Sequence, residues 1–181
     1  MTDDSQPLLP IDRFLWTLDI VEREGRHLCY SWQSLFASGS ELGADWVASL
    51  EQHPEEAIRL EAFVSRFSRM QDTIADKLIP RWLQSLAERI GSQIENLNRA
   101  ERLGVLESTE QWLAARKLRN QLVHEYMQDP EAFAAALAAA REYSLMLMAT
   151  YNRIRGYAER RMALEAELPE SLVLPNQHPQ R

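Results

Sequence analysis

Apolar residues recur along this chain at steps of three and four, the spacing of one helix face, over nearly its whole length. Between residue 11 and about residue 37, Ile11, Leu15, Leu18, Cys29, Trp32 and Phe36 share one stripe, which Ser38-Gly39-Ser40 ends. A short amphipathic piece around Leu42, Trp46 and Leu50 follows. Pro54-Glu55-Glu56 then opens a long helix, with proline in the first turn and acids at the positive end of the helix dipole. Its inward positions are Ile58, Phe63, Phe67, Met70, Ile74 and Leu78, and Pro80 is expected to kink or split it before Trp82, Leu83 and Leu86 carry the pattern on.

Gly91 and Gly104 punctuate a short helix containing Ile94, Leu97 and Leu103. Ser108-Thr109-Glu110-Gln111 has capping-box spacing and predicts a helix that runs to about Met127. Asp129-Pro130-Glu131 supplies an N-cap, a proline at the first helical position and an acid in the first turn. The helix it opens reaches about Arg160, with Phe133, Leu137, Ala140, Tyr143, Leu147, Tyr151 and Ile154 on one side. The almost unbroken alanines from Ala134 to Ala140 allow close helix–helix approach and suggest a tight interface. No segment alternates with period two for long enough to make a strand. The pattern therefore predicts an all-α antiparallel helical bundle, two long helices plus shorter ones, over residues 11–161. Residues 1–10 are expected to be a flexible N-terminus, and residues 162–181, with Pro169, Pro175 and Pro179, an extended or disordered tail.

At 181 residues the chain is long enough for one ordinary domain, and 45% hydrophobic with 26% charged residues is the composition of a soluble globular protein. It has no uninterrupted apolar run of about 18 residues, so no membrane partner is expected. The start, Met1-Thr2-Asp3-Asp4-Ser5, is acidic and leads into no apolar stretch, which argues against export. The single cysteine, Cys29, excludes an intramolecular disulfide and a multi-cysteine zinc site. Together these predict a cytoplasmic protein.

Net charge is −7, which argues against non-specific coating of nucleic acid, but the charge is unevenly spread. Residues 1–61 hold 12 acids and 4 bases, whereas residues 62–161 hold 12 acids and 15 bases. Of the 20 bases 18 are arginine, whose planar fork suits phosphate. A local anion site in the middle of the chain fits this distribution; a general polyanion surface does not.

The stretch richest in chemistry runs from Ala115 to Tyr126. At about 100° per residue, Arg119 falls within the apolar arc of Trp112, Ala115, Leu122, Val123 and Tyr126. A guanidinium there must be paired, must snorkel, or must face a cleft, and Asp72 or Asp76 could pair it inside the bundle. Asn120 and His124 form an i,i+4 pair on the flank of the same face. One helix edge thus offers a permanent cation, an amide and a titratable imidazole, followed by a phenol that could equally be a packed aromatic. Elsewhere, Glu24-Gly25-Arg26-His27 has the E-x-x-H spacing of di-iron bundles, but there is no second copy, and His124-Glu125 lacks the second histidine of a zincin. No metal site is expected.

Arg119-Asn120-x-x-x-His124-x-Tyr126 resembles the R-x4-H-x-Y signature of HEPN-domain proteins, in particular the HepT-like toxins of HEPN/MNT toxin–antitoxin pairs. Phe67 to Asp72, Asp76 to Pro80, Asn96 to Gly104 and Trp112 resemble the segments that precede the motif in such proteins. The likeness covers about residues 11–160 and is most specific over 63–127. It implies a HEPN-like bundle that forms a homodimer through the motif-helix face, and metal-independent, cofactor-free RNA cleavage by Arg119, Asn120 and His124, with Asp72 and Arg116 in support. It also implies that a cognate MNT-type nucleotidyltransferase silences the toxin by attaching AMP to Tyr126. The alternative is a non-catalytic nucleotide- or partner-binding subunit of that transferase; a stand-alone helical interaction module would require the motif to be accidental.

Overall fold

A computed structural model of the chain describes residues 8–39, 41–124 and 128–177, with His124 described by its backbone. Every regular element among the described residues is helical. The helices are α1 (Pro10–Phe36), α2 (Ala44–Ala48), α3 (Pro54–Thr73), α4 (Ile79–Ser85), α5 (Gln93–Arg102), α6 (Thr109–His124) and α7 (Pro130–Arg161). The chain is an all-α helical bundle, as its periodicity predicts.

Side-chain bonds between helices fix their directions. Thr17, Glu24 and Ser31, in order along α1, meet Arg81 (2.7 Å), Thr73 (3.0 Å) and Arg66 (2.7 Å), in reverse order along α3 and α4. The α1 helix is therefore antiparallel to both. Trp32 of α1 donates its indole N–H to the Arg141 carbonyl of α7 at 3.0 Å. The Arg141 guanidinium lies over the Trp32 and Phe36 rings at 5.2 and 5.6 Å. Phe36, Phe63 and Phe67 continue this aromatic row at centroid spacings of 5.1 and 6.2 Å, and pairs of this kind add about 0.5–1.5 kcal/mol beyond the area they bury.

The inward stripe of α1 is Phe14, Leu18, Val21, Leu28, Trp32 and Leu35; Ile11, Leu15 and Cys29, expected on it, are half-buried at its flank. In α3 the inward residues are Leu60, Phe63, Val64, Phe67 and Met70, and Ile58 is exposed because it lies about 200° round the helix from Leu60. Pro80 does not break the long segment. Residues Ile74–Leu78 form one π-helical turn, with the Ile79 N–H bonded back to the Ile74 carbonyl, and α4 starts with Pro80 in its first turn. The wider turn accommodates a residue that has no N–H and whose ring crowds the preceding turn.

The side-chain caps expected at Ser108 and Asp129 form: Ser108 Oγ accepts the Gln111 N–H at 3.2 Å at α6, and the Asp129 carboxylate accepts the Ala132 N–H at 3.0 Å at α7. At α5, Ser92 and Glu95 make a capping box that sequence reasoning did not name. Gly104, at φ 79°, closes α5 with Gly104 N–H to Glu101 O and Val105 N–H to Ala100 O, a Schellman pattern that requires a left-handed residue. Ile94 is exposed, while the inward Asn96 pins the preceding loop through two bonds to the Gly91 backbone. All of the predicted α7 face is buried except half-buried Tyr143. Among the described helices, α7 is long and apolar enough by length and composition to cross a bilayer; here its apolar side packs into the bundle core.

The tail runs extended and is fastened to α1 and α7. Arg155 Nε donates to the Pro169 carbonyl (2.6 Å), Tyr151 Oη to Glu170 (2.8 Å), and the Asn152 amide makes two 2.8 Å bonds to the Leu172 backbone. The Leu172 side chain is buried over Gly25. Burial beneath this segment pushes the Tyr151 phenol well above its ordinary pKa.

Candidate functional site

The α6 helix carries the motif, and its start is anchored from α5. The Glu101 carboxylate accepts the Thr109 N–H at 2.8 Å, and this bond holds the carboxyl below its usual pKa. Trp112, Ala115 and Leu122 are buried and set the packed face. Val123, expected in the apolar arc, is 52% exposed. Its neighbour Leu122 takes the inward position, and one residue is about 100° round the helix.

Arg119 lies about 30° from the centre of the packed face, so its stem is covered while its head reaches the edge. Its Nη2 donates to Asp72 Oδ2 of α3 at 2.8 Å. The two side chains are 27% and 42% exposed, and Arg119 Nε is buried with no hydrogen-bond partner among the described residues. Of the two carboxylates that sequence offered as partners, Asp72 is the one engaged. Asp76 instead accepts from Gln93 Nε2 of α5, and Gln93 Oε1 accepts from Arg116. Arg116 and Arg119 are thus tied to neighbouring acids of the α3 segment, one through an amide and one directly. Arg116 belongs to a separate rung from the Arg119–Asp72 pair.

Asn120 is exposed on the outer side of α6. The helix is continuous from Arg119 through the His124 backbone, which places Asn120 and His124 one turn apart. Tyr126 lies outside the described residues. Beside the pair, Arg119 and Val123 line an open groove of about 300 Å³ with Leu60, Val64, Ser68 and Phe133. The groove is apolar except at its Arg119 edge and at Glu61, Ser65 and Ser68.

Below the site, Glu24 of α1 accepts from Thr73 Oγ1 at 3.0 Å, and its other oxygen is buried with no hydrogen-bond partner among the described residues. Burial raises its pKa, with Thr73, Arg69 and Lys77 opposing the rise. His27, its E-x-x-H partner by spacing, is exposed, and among the described residues no three His, Cys, Asp or Glu side chains gather as metal ligands. Sequence reasoning missed the Gln71 contact: this buried amide donates to the Trp112 carbonyl at 3.4 Å and ties α3 to the start of the motif helix. It also missed Gln93, whose one sequence signal is a polar side chain in the first turn of α5.

Fold and site together define an all-α bundle with one helix edge bearing a carboxylate-held guanidinium, an open amide and, one turn on, a histidine position. Set against known proteins, the chain matches no family model, no curated protein and no solved structure.

Proposed function

We propose that this chain is a HEPN-type, metal-independent endoribonuclease toxin that works as a homodimer and is silenced by an MNT-type nucleotidyltransferase. The observation that carries the reading is the Arg119–Asp72 pair: it fixes a guanidinium beside an open groove, on the same continuous helix as Asn120 and His124. In the proposed reaction an RNA 2′-hydroxyl attacks the adjacent phosphorus while one histidine takes its proton. The bond to the 5′-oxygen breaks, and that oxygen receives a proton from the second histidine of the dimer. The products are a 2′,3′-cyclic phosphate and a 5′-hydroxyl. Arg119 stabilises the added charge on the pentacoordinate phosphorus, and Asn120 orients His124 or a phosphate oxygen. Two-fold symmetry supplies the second histidine that one motif lacks, so dimerisation through this face is part of the mechanism. AMP transferred to Tyr126 adds bulk and a phosphate charge to the cleft and blocks RNA.

The Arg119–Asp72 pair also favours a second reading, a non-catalytic binding subunit of the transferase, because a carboxylate on Arg119 offsets part of the charge that would attract phosphate. Incubation of purified protein with RNA in EDTA separates the two. The nuclease reading predicts undiminished cleavage with cyclic-phosphate ends; cleavage that needs added metal, or none at all with or without it, refutes that reading.

A further inference from the structure

A second arginine-rich site lies at the far end of α6 from His124. Arg102 at the end of α5 and Arg153, Arg160 and Arg161 of α7 converge on a cleft of about 330 Å³, floored by Gly104 and Tyr157. Among the described residues no acidic side chain lines it. Arg153 is paired to Glu107 at 3.1 Å, and Arg161 lies over the Tyr157 ring at 5.8 Å. Arg102 and Arg160 have no hydrogen-bond or ion-pair partner among the described residues and are exposed. Part of this charge answers the two helix C-termini that end here, each worth about half a negative charge. Four guanidiniums, less Glu107 and less those two half charges, leave the cleft with roughly two positive charges. That excess is held in one concavity on a chain of net charge −7, with the donors of two arginines unused.

We infer that this cleft binds a run of adjacent phosphoryl groups, from a free oligophosphate or from the backbone of an RNA. Arginine forks suit several phosphate oxygens at once, and the concave wall lets guanidiniums from two helices reach one ligand. The cleft lies beyond the start of α6, and Arg119 and His124 are 10 and 15 residues along that helix, about 15 and 22 Å at 1.5 Å per residue, so the inference stands apart from the nuclease reading.

The test titrates sodium tripolyphosphate into the full chain at low ionic strength by calorimetry. It uses wild type, Arg102→Gln/Arg160→Gln, and a control, Arg23→Gln/Arg59→Gln, that removes the same charge from exposed arginines elsewhere. Circular dichroism verifies the fold of each. Wild type and control should bind, and the cleft variant should lose affinity by about tenfold or more, the size expected when charge-assisted hydrogen bonds are removed. Absence of binding to wild type, or an equal loss in the control, overturns the inference. A labelled single-stranded RNA then identifies the source. Competition with tripolyphosphate and the same loss in the cleft variant assign the phosphates to an RNA backbone; RNA binding that the cleft variant leaves unchanged assigns them to a free oligophosphate.

Discussion

Gly25 stands in the middle of α1, where glycine costs a helix about 1 kcal/mol relative to alanine. The structure gives the reason. A Cβ at Gly25 would lie 2.3 Å from Leu172 Cδ1 and 3.2 Å from both Leu172 Cδ2 and Met70 Cε. Gly25→Ala must therefore displace Leu172, which is only 6% exposed and whose burial is worth about 1.5–3 kcal/mol. Against the propensity gain of about 1 kcal/mol, the net effect is a loss of about 0.5–2 kcal/mol. Leu172→Ala alone should cost about 2 kcal/mol, the low end for a buried leucine, because the site opens to solvent at one side. The tail stays in place in that variant, since its bonds to Asn152 come from the Leu172 backbone. With the leucine methyls gone, Gly25→Ala no longer collides, and the Met70 methyl is free to shift by a few tenths of an ångström. In the Leu172→Ala background Gly25→Ala should therefore stabilise by about 0.5–1 kcal/mol. Urea unfolding of the four proteins measures the cycle. A Gly25→Ala effect of the same sign and size in both backgrounds would refute the docking of Leu172 on Gly25.

Two further outcomes follow from the site. Arg119→Lys should recover little of the activity that Arg119→Ala loses, because a point charge cannot hold both Asp72 and a phosphate oxygen as a fork does; full activity in a cleavage assay of the lysine variant contradicts the role given to Arg119. Glu24 is raised in the folded state, so its carboxylate form opposes folding above that raised pKa, and the penalty fades as pH falls toward the ordinary value of 4.5. Glu24→Gln should be more stable than wild type near pH 7, with the difference shrinking toward about pH 4.5 in paired urea melts. A difference independent of pH, or a less stable variant near neutrality, counts against the burial account.

The bundle was legible because it is written in local spacing and caps: Asp129-Pro130, Ser108 to Gln111 and the α7 stripe each depend on neighbours within a turn or two. What depends on distant partners was not. Ile58 and Val123 have apolar side chains at plausible steps, and only the positions of the packed neighbours decide that Leu60 and Leu122 point inward instead. Pro80 is a local signal for a disturbance of the helix, and the form it takes is the π-helical turn at Ile74–Leu78 followed directly by α4. At the candidate site, pairing of Arg119 with an acid of the α3 segment was foreseeable from its place on an apolar face. The separate tie of Arg116 through Gln93 was not, because a glutamine in a first turn carries no positional signal. The arginine cleft was hidden for the same reason: Arg102 and Arg153 lie 51 residues apart, and sequence registered them only as an arginine-rich middle.

The nuclease reading rests most directly on His124. Wild type and His124→Ala chains are expressed alone in a bacterial host, and growth, RNA integrity and the helicity of the purified proteins are followed. The account predicts growth arrest and RNA fragmentation with wild type only, and equal helicity in both proteins. Intact RNA and normal growth with wild type, or fragmentation that His124→Ala leaves unchanged, would contradict it.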